Sequence, residues 1–326
     1  MKPFVVVILA AFLLAGFPAP GSGQSGEKYP VKPIRVIFPV EPGSGGDVLC
    51  RPLVEKMSQI LGQPMIVVNK PGASGAIGLK EVHDAKPDGY TITATAPFIV
   101  TNKMQGLMPY DHREFDIIGI FQTDPGIICV NYKKPWKTIK EVVAEAKARP
   151  GEISLATPSK GAIWWLAGMA FQNASGATFN VMPQAGAGGF VVTQVAGGHA
   201  DVGMVGVPEG KGQIEGGNLR LLATMSKERL PGKFNYAPTL IEEGIPASIS
   251  TFRAIAAPKG LPRPVFEKLL AATEKAANDP DYRKFLAAQN SIPLWLPTEQ
   301  AIKFYEEQAQ IYRPIIEKAG MLKEAK

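Results

Sequence analysis

Four short stretches hold most of the residues able to grip a ligand. In each, a predicted strand runs into a glycine-rich turn and then a helix. They lie at 38–47, 69–76, 156–163 and 182–190, and the first contains Glu41-Pro42-Gly43-Ser44-Gly45-Gly46-Asp47. Such turns leave backbone N–H groups unpaired at the positive end of a helix dipole, a setting suited to an anion. Charge-assisted hydrogen bonds contribute about 1.5–3 kcal/mol each, and a micromolar complex needs about 8 kcal/mol. Four or so donors from two facing turns therefore suffice for a carboxylate, without an arginine clamp. Any one such turn, taken alone, is equally explained by chain reversal.

Signatures of catalysis are sparse. Neither Gly43–Val48 nor Gly186–Val191 completes G-x-G-x-x-G, and no phosphate-binding G-x-x-x-x-G-K-[ST] occurs. Gly72-Ala73-Ser74-Gly75-Ala76 approaches a nucleophile elbow but lacks the second glycine at the required place. Ser25-Gly26-Glu27-Lys28 matches S-x-x-K beside the N-terminal leader, where no site can be built. His83, His112 and His199 have no paired ligand spacing. The expectation is a protein with no catalytic residue, metal or cofactor.

The elements that position these turns alternate. Strands are predicted at 34–38, 65–69 and 90–96, separated by helices from Asp47 to Leu61 and up to about Ala85, a βαβαβ opening that favours a parallel sheet. The middle repeats the pattern, with strands at 127–131, 152–156, 178–182, 200–205 and 219–225. Thr138-Ile139-Lys140-Glu141 reads as a capping box before the helix 142–148. A helix 162–173 closes at Gly176, and another runs from the glycine turn at 186–189 to Ala196. Later come a segment at 252–257 and helices near 264–278, 282–289 and 298–316. In open α/β sheets ligands gather at the carboxyl ends of strands, where all four turns lie.

Length and composition fit this picture. A chain of 326 residues, 45% hydrophobic and 20% charged, suits two domains with their own cores and excludes a disordered chain. The net charge of +6 is spread along the chain, so nucleic acid is not an expected partner. Lys2, the apolar run from Phe4 to Phe17 and the small residues to Gly23 read as a cleaved signal peptide, 1–23, and so as export to the periplasm. Loss of Lys2 takes the charge from +6 to +5. Cys50 and Cys129 could bridge in that compartment, but nothing brings them together, and two buried free thiols are expected.

Several motifs in order carry a family resemblance. They are Tyr29-Pro30-Val31-Lys32-Pro33-Ile34 running to Pro39, Pro42-Gly43 with Asp47, Leu61-Gly62-Gln63-Pro64, Asn69-Lys70-Pro71-Gly72-Ala73-Ser74-Gly75, Lys86-Pro87-Asp88-Gly89-Tyr90-Thr91, and Ala257-Pro258-Lys259-Gly260-Leu261-Pro262. From about Tyr29 to Gly320 the chain resembles the substrate-binding proteins of tripartite tricarboxylate transporters, the Bug receptors. The resemblance implies an α/β, two-domain periplasmic binding protein of the type II-like, Venus-flytrap kind, with the ligand cleft between lobes. It implies a first domain of 28–122 plus 226–326 and a second of 123–225. The small carboxylate would be held by Val40, Glu41, Pro42, Gly43, Ser44, Gly45, Gly46 and Asp47, with Thr95, Ala96, Pro97 and Phe98. The second domain would contribute Ser159, Lys160, Gly161, Ala162 and Ile163; Gln184, Ala185, Gly186, Ala187 and Gly188; and Val207 and Glu209. A monomer is expected, delivering its ligand to membrane permease subunits. A receptor signalling to a membrane kinase, or a periplasmic hydrolase, are the alternatives.

The chain departs from the family pattern in ways that bear on the ligand. Ser44 stands where a second glycine is usual, Gly46 where Thr or Ser is common, Ala162 for Thr or Ser, Trp165 for His, and Gln184-Ala185 for Tyr-Lys. Fewer hydroxyls and more tryptophan point to an acid with an apolar or aromatic body. Trp164 and Trp165 are also explained by packing of their helix into the core. Lys160 pairs with the ligand or is solvated, and Glu41 accepts from a ligand ammonium or hydroxyl or faces solvent.

Overall fold

The computed structural model describes residues 29–185 and 188–323; the expected leader 1–23, Gly186 and Ala187 lie outside the described residues. Strands β1 (Ile34–Phe38), β2 (Met65–Asn69) and β3 (Thr91–Thr95) are parallel, with β1 between the other two. Helices α1 (Gly45–Leu61) and α2 (Ala76–His83) connect them. Helix α1 begins two residues before the expected Asp47. Ser44 is its N-cap, accepting from the Asp47 amide, and Gly62 closes it in the left-handed region. A short helix α3 (Phe98–Met104), which the sequence reading did not separate, leads from β3 toward β4.

Strand β4 (Phe115–Asn131) is the spine of the molecule. Its first part, Phe115 to Pro125, pairs antiparallel with β9 (Ser250–Pro258), and β10 (Ile292–Pro297) lies on its other side. From Gly126 onward it pairs with β7 (Val202–Gly206) and β8 (Leu219–Thr224). The strand expected at 127–131 covers only the end of β4, which also runs through Gln122-Thr123-Asp124-Pro125-Gly126, residues of turn-forming type. In the fold Gln122 and Asp124 are buried, and the Gln122 Nε2 amide donates to Asp124 Oδ2 at 2.8 Å and to Ser291 Oγ at 3.1 Å. Gln122 is satisfied by these partners, and Asp124 through Oδ2 only, its Oδ1 having no partner among the described residues.

Beyond β4 come α4 (Ile139–Ala148), capped by the expected Thr138–Glu141 box, then β5 (Ser154–Thr157), α5 (Ile163–Ser175) and β6 (Asn180–Pro183). Helices α6 (Gly188–Ala196) and α7 (Val207–Glu215) flank β7. Strands β5, β6 and β7 run parallel, with β5 central. The connected order β2-β1-β3-β9-β4-β7-β5-β6 is thus parallel at both ends and antiparallel in the middle, not parallel throughout. The chain's last part supplies α8 (Arg263–Ala277), α9 (Pro280–Ala288) and α10 (Thr298–Lys318).

The two halves of the sheet meet where three backbone segments interlock. Gly126 N–H donates to the Ile249 carbonyl at 3.1 Å, Met225 N–H to the Gly126 carbonyl at 2.8 Å, and Ile249 N–H to the Met225 carbonyl at 3.1 Å. Leu230, Phe234 and Ala237 pack with Val191, Val195 and Val205 of the second half. Helix α10 lies against α3 and β4 and also against α5, so one helix touches both halves. Trp164 and Trp165 are both buried in α5. Cys50 in α1 and Cys129 in β4 are buried free thiols, each pushed up to about 12 chiefly by burial.

Tyr305 of α10 is fully buried, against Phe252 at 5.1 Å and His112 at 5.2 Å between ring centroids. Its hydroxyl finds no partner among the described residues, and burial drives the phenol far above its ordinary pKa. Removing an orphaned buried hydroxyl relieves a desolvation cost of about 1–3 kcal/mol. Tyr305→Phe is expected to leave the melting temperature unchanged or raise it by a few degrees in thermal denaturation. A clear fall would mean that the hydroxyl has a partner.

Candidate ligand-binding site

A cavity of about 430 Å³ opens between the two halves of the sheet, at the carboxyl ends of β1, β3 and β5. Its first wall is the turn into α1, with Val40, Glu41, Ser44, Gly45 and Gly46 facing the space. The shape of that turn is set by Asp47, which is buried. Its Oδ2 accepts from the Gly43 amide and from Arg51 Nε, both at 2.9 Å, and its Oδ1 accepts from Asn69 Nδ2 at 2.9 Å. Asn69 also donates to the Val40 carbonyl at 3.1 Å, tying the end of β2 to the turn. Burial alone raises the Asp47 carboxyl, but the hydrogen bonds from Arg51, Gly43 and Asn69 outweigh it and hold the group below its ordinary value. Both oxygens are committed to this clasp, so Asp47 shapes the turn.

The second wall runs from Pro71 to Gly75. Gly72, Ala73, Ser74 and Gly75 all have positive φ, at 115°, 46°, 52° and 87°. Ala73 and Ser74 tolerate this region at a cost of about 1–3 kcal/mol each. Asn102 of α3 donates to the Ser74 carbonyl at 3.0 Å, and the Phe98 ring lies 3.0 Å from where a Gly75 β-carbon would stand. Ser74, the serine of the elbow-like motif, faces the cavity, and no histidine, cysteine or lysine stands among the described lining residues. Ala96, Pro97, Phe98 and Thr101 complete this side.

The second half contributes Pro158, Ser159, Gly161, Ala162, Ile163 and Trp164 at the head of α5, Gly188 of α6, and Glu209 of α7. Gln105 Nε2 donates across the halves to the Gly161 carbonyl at 3.1 Å. Gly161 has φ of 84°, and a β-carbon there would stand 2.1 Å from Gln105 Oε1, so only glycine fits.

Arg253, absent from the residues read from sequence, reaches the cavity from β9, where it pairs in register with Gln122. Its Nη1 donates to Thr251 Oγ1 at 2.5 Å and to the Phe252 carbonyl at 2.9 Å. Its Nε is buried without a partner among the described residues, 3.2 Å from where a Gly46 β-carbon would stand. A guanidinium thus lies against the first turn of α1, whose dipole already presents positive charge. Buried Asp124 is a second influence. Burial pushes its carboxyl up, while Arg253 and hydrogen bonds from Ser291, Gln122 and Ile292 oppose the rise. A lone arginine in the apolar run Thr251-Phe252-Arg253-Ala254-Ile255-Ala256 was the signal available in the sequence.

Other residues expected at the site stand back from this cavity. Pro42 and Gly43 line a neighbouring cavity of about 300 Å³ that shares Glu41, Ser44, Gly45 and Glu209. Thr95 is buried, with its hydroxyl unpartnered among the described residues, and Val207 packs into the second-half core. Lys160 is exposed at the rim. The Gln184 carbonyl accepts from Ser159 Oγ at 3.3 Å, and Ala185 is exposed. Of the two tryptophans, Trp164 faces the cavity and Trp165 does not.

Because the folded Asp47 pKa is depressed, its stabilisation is present above the unfolded value near ~4 and is lost as pH falls through the folded value. Asp47→Asn is expected to cost about 2 kcal/mol at pH 7. Denaturant titrations should show the gap to wild type narrowing below about pH 4. A gap independent of pH would remove the charge from this account.

The family model of the tripartite tricarboxylate transporter family receptor matches residues 49–321. Protein BugT of Bordetella pertussis is 30% identical to this chain over 326 residues, spanning 98% of each. A TctC solute binding protein from Polaromonas, solved without ligand, is 36% identical with a TM-score of 0.74, covering 89% of this chain and 99% of that one. R. palustris Rpa4515, solved with adipate, shares the fold with a TM-score of 0.82 at 22% identity, covering 90% of this chain and 98% of its own. The α/β architecture with its interlobe cleft is that of these solute-binding receptors. The chain belongs to the tripartite tricarboxylate transporter receptor family.

Proposed function

We propose that the protein is an exported, periplasmic solute-binding receptor. It captures a small carboxylate with an apolar or aromatic body and hands it, as a monomer, to membrane permease subunits of a tripartite tricarboxylate-type transporter. The observation that carries this reading is Arg253, its Nε buried and unpartnered against Gly46 in the first turn of α1. A guanidinium and a helix N-terminus side by side concentrate positive potential at one end of the cleft, where a carboxylate is favoured. Phe98, Ile163, Trp164, Pro71 and Pro97 offer the apolar body a surface, and a cavity of about 430 Å³ suits a small acid. The adipate in Rpa4515 is of the same chemical class.

The two lobes comprise the sheet halves on either side of Gly126 and the start of β9, with 226–249 in the second lobe. Closure turns on the Gly126–Met225–Ile249 interlock, and a ligand favours the closed state only through contacts it makes to both lobes. The ligand leaves unchanged: no histidine, lysine or cysteine stands with Ser74 among the described lining residues to activate it as a nucleophile.

A thermal-shift panel of mono-, di- and aromatic carboxylates, with each compound recovered and assayed after incubation, tests this reading. At least one acid should raise the melting temperature and return intact. In calorimetry Arg253→Gln should weaken that acid by about tenfold or more while the variant stays folded. Turnover of the compound, or Arg253→Gln binding as wild type does, would overturn it.

A further inference from the structure

The cavity also holds an acid that carboxylate binding leaves unexplained. Glu209 of α7 lies in a cradle of three glycines drawn from both halves of the sheet. Its Oε1 is 3.1 Å from where a Gly45 β-carbon would stand, its Cγ 2.9 Å from that of Gly188, and its Oε2 2.5 Å from that of Gly206. A side chain at Gly188 or Gly206 would collide with it, so the backbone leaves room for this carboxyl and little else. Arg253 stands at the next residue of the same turn, against Gly46. Opposite charges thus flank two consecutive glycines of α1 and line one cavity. Among the described residues neither takes part in an ion pair within 4.0 Å.

Taking the cleft as the ligand site, we infer that Glu209 and Arg253 together read a zwitterion, a ligand carrying a protonated amine close to its carboxylate. The carboxylate lies on Arg253 and the first turn of α1, and the ammonium donates to Glu209. Two unpaired opposite charges at neighbouring positions are each satisfied by one such ligand. A second ligand carboxylate placed against Glu209 would instead meet like charge in a poorly screened site. With the apolar surface of Phe98 and Trp164, the class that fits is an α-amino acid with an apolar side chain.

The pairing carries a pH signature, because Glu209 must be ionised to hold an ammonium. Burial pushes its carboxyl above the ordinary value, and Asp124 of β4 acts in the same direction. Arg253 of β9, the Trp164 indole of α5 and the residue's own amide oppose that rise; Glu41, before α1, is the other acid lining the cavity. Affinity for the zwitterion therefore rises as pH climbs through the Glu209 titration.

The test compares matched pairs by calorimetry at about pH 5 and 7.5: L-leucine with 4-methylpentanoate, and L-phenylalanine with 3-phenylpropionate. A thermal-shift screen of the remaining proteinogenic amino acids accompanies it. At least one amino acid should bind about tenfold or more tighter than its amine-free analogue, and tighter at the higher pH. Glu209→Gln should collapse that ratio toward one. If the analogue binds wild type as well as or better than the amino acid, or if acids bind and no amino acid does, the zwitterion is excluded while the receptor reading stands. If no acid of any kind binds, the receptor reading itself falls. The wild-type pairs decide the matter even where Glu209→Gln fails to fold.

Discussion

A guanidinium held against the N-terminal turn of α1, with no ion-pair partner among the described residues, is the constraint around which the cleft is arranged. Two sources of positive potential side by side are unfavourable in a dry site unless something answers them. Nearby acids answer only in part. Asp124 is buried beneath the strand with its own partners in Gln122 and Ser291, and Glu209 is confined to a glycine cradle from the other half of the sheet. The imbalance is therefore kept in place by the fold and remains available to a ligand.

Holding that arrangement requires precision in elements that never touch the ligand. The Asp47 clasp uses three donors from two elements to fix the turn before α1, which explains why Asp47 and Asn69 occur together in the motifs. Asn102 supports the left-handed run at Ser74 in the same way. Both clasps use a buried polar side chain to fix loop backbone, Asp47 through the Gly43 amide and Asn102 through the Ser74 carbonyl, so the loops forming the walls are positioned by secondary structure behind them.

Strand β4 gives the molecule its second constraint. One strand serves both halves of the sheet and changes partners between Pro125 and Gly126, where Pro125 has no N–H to donate and Gly126 hydrogen-bonds to Met225 and Ile249. The two halves are thereby joined through a few backbone positions. Helix α10, packed on α3, β4 and α5, and the Gln105–Gly161 hydrogen bond span the same boundary at the rim.

Local signals were legible in the sequence wherever the physics is local. The strands at 34–38 and 65–69, the Thr138 cap and the closing glycines 62 and 176 follow from side-chain pattern and backbone freedom, which nearest neighbours set. The turns that became walls of the cleft were readable for the same reason. Strand β4 was read only in its last third, since buried Gln122 and Asp124 look like turn residues until partners distant in sequence satisfy them. Arg253 sits more than 200 residues from Gly46, and no spacing rule joins them. By itself the sequence determined most of the local elements and the glycine turns that join them. Tertiary structure alone decided which charges share the cleft, because burial and proximity between distant segments, not residue type, set the electrostatics of a site.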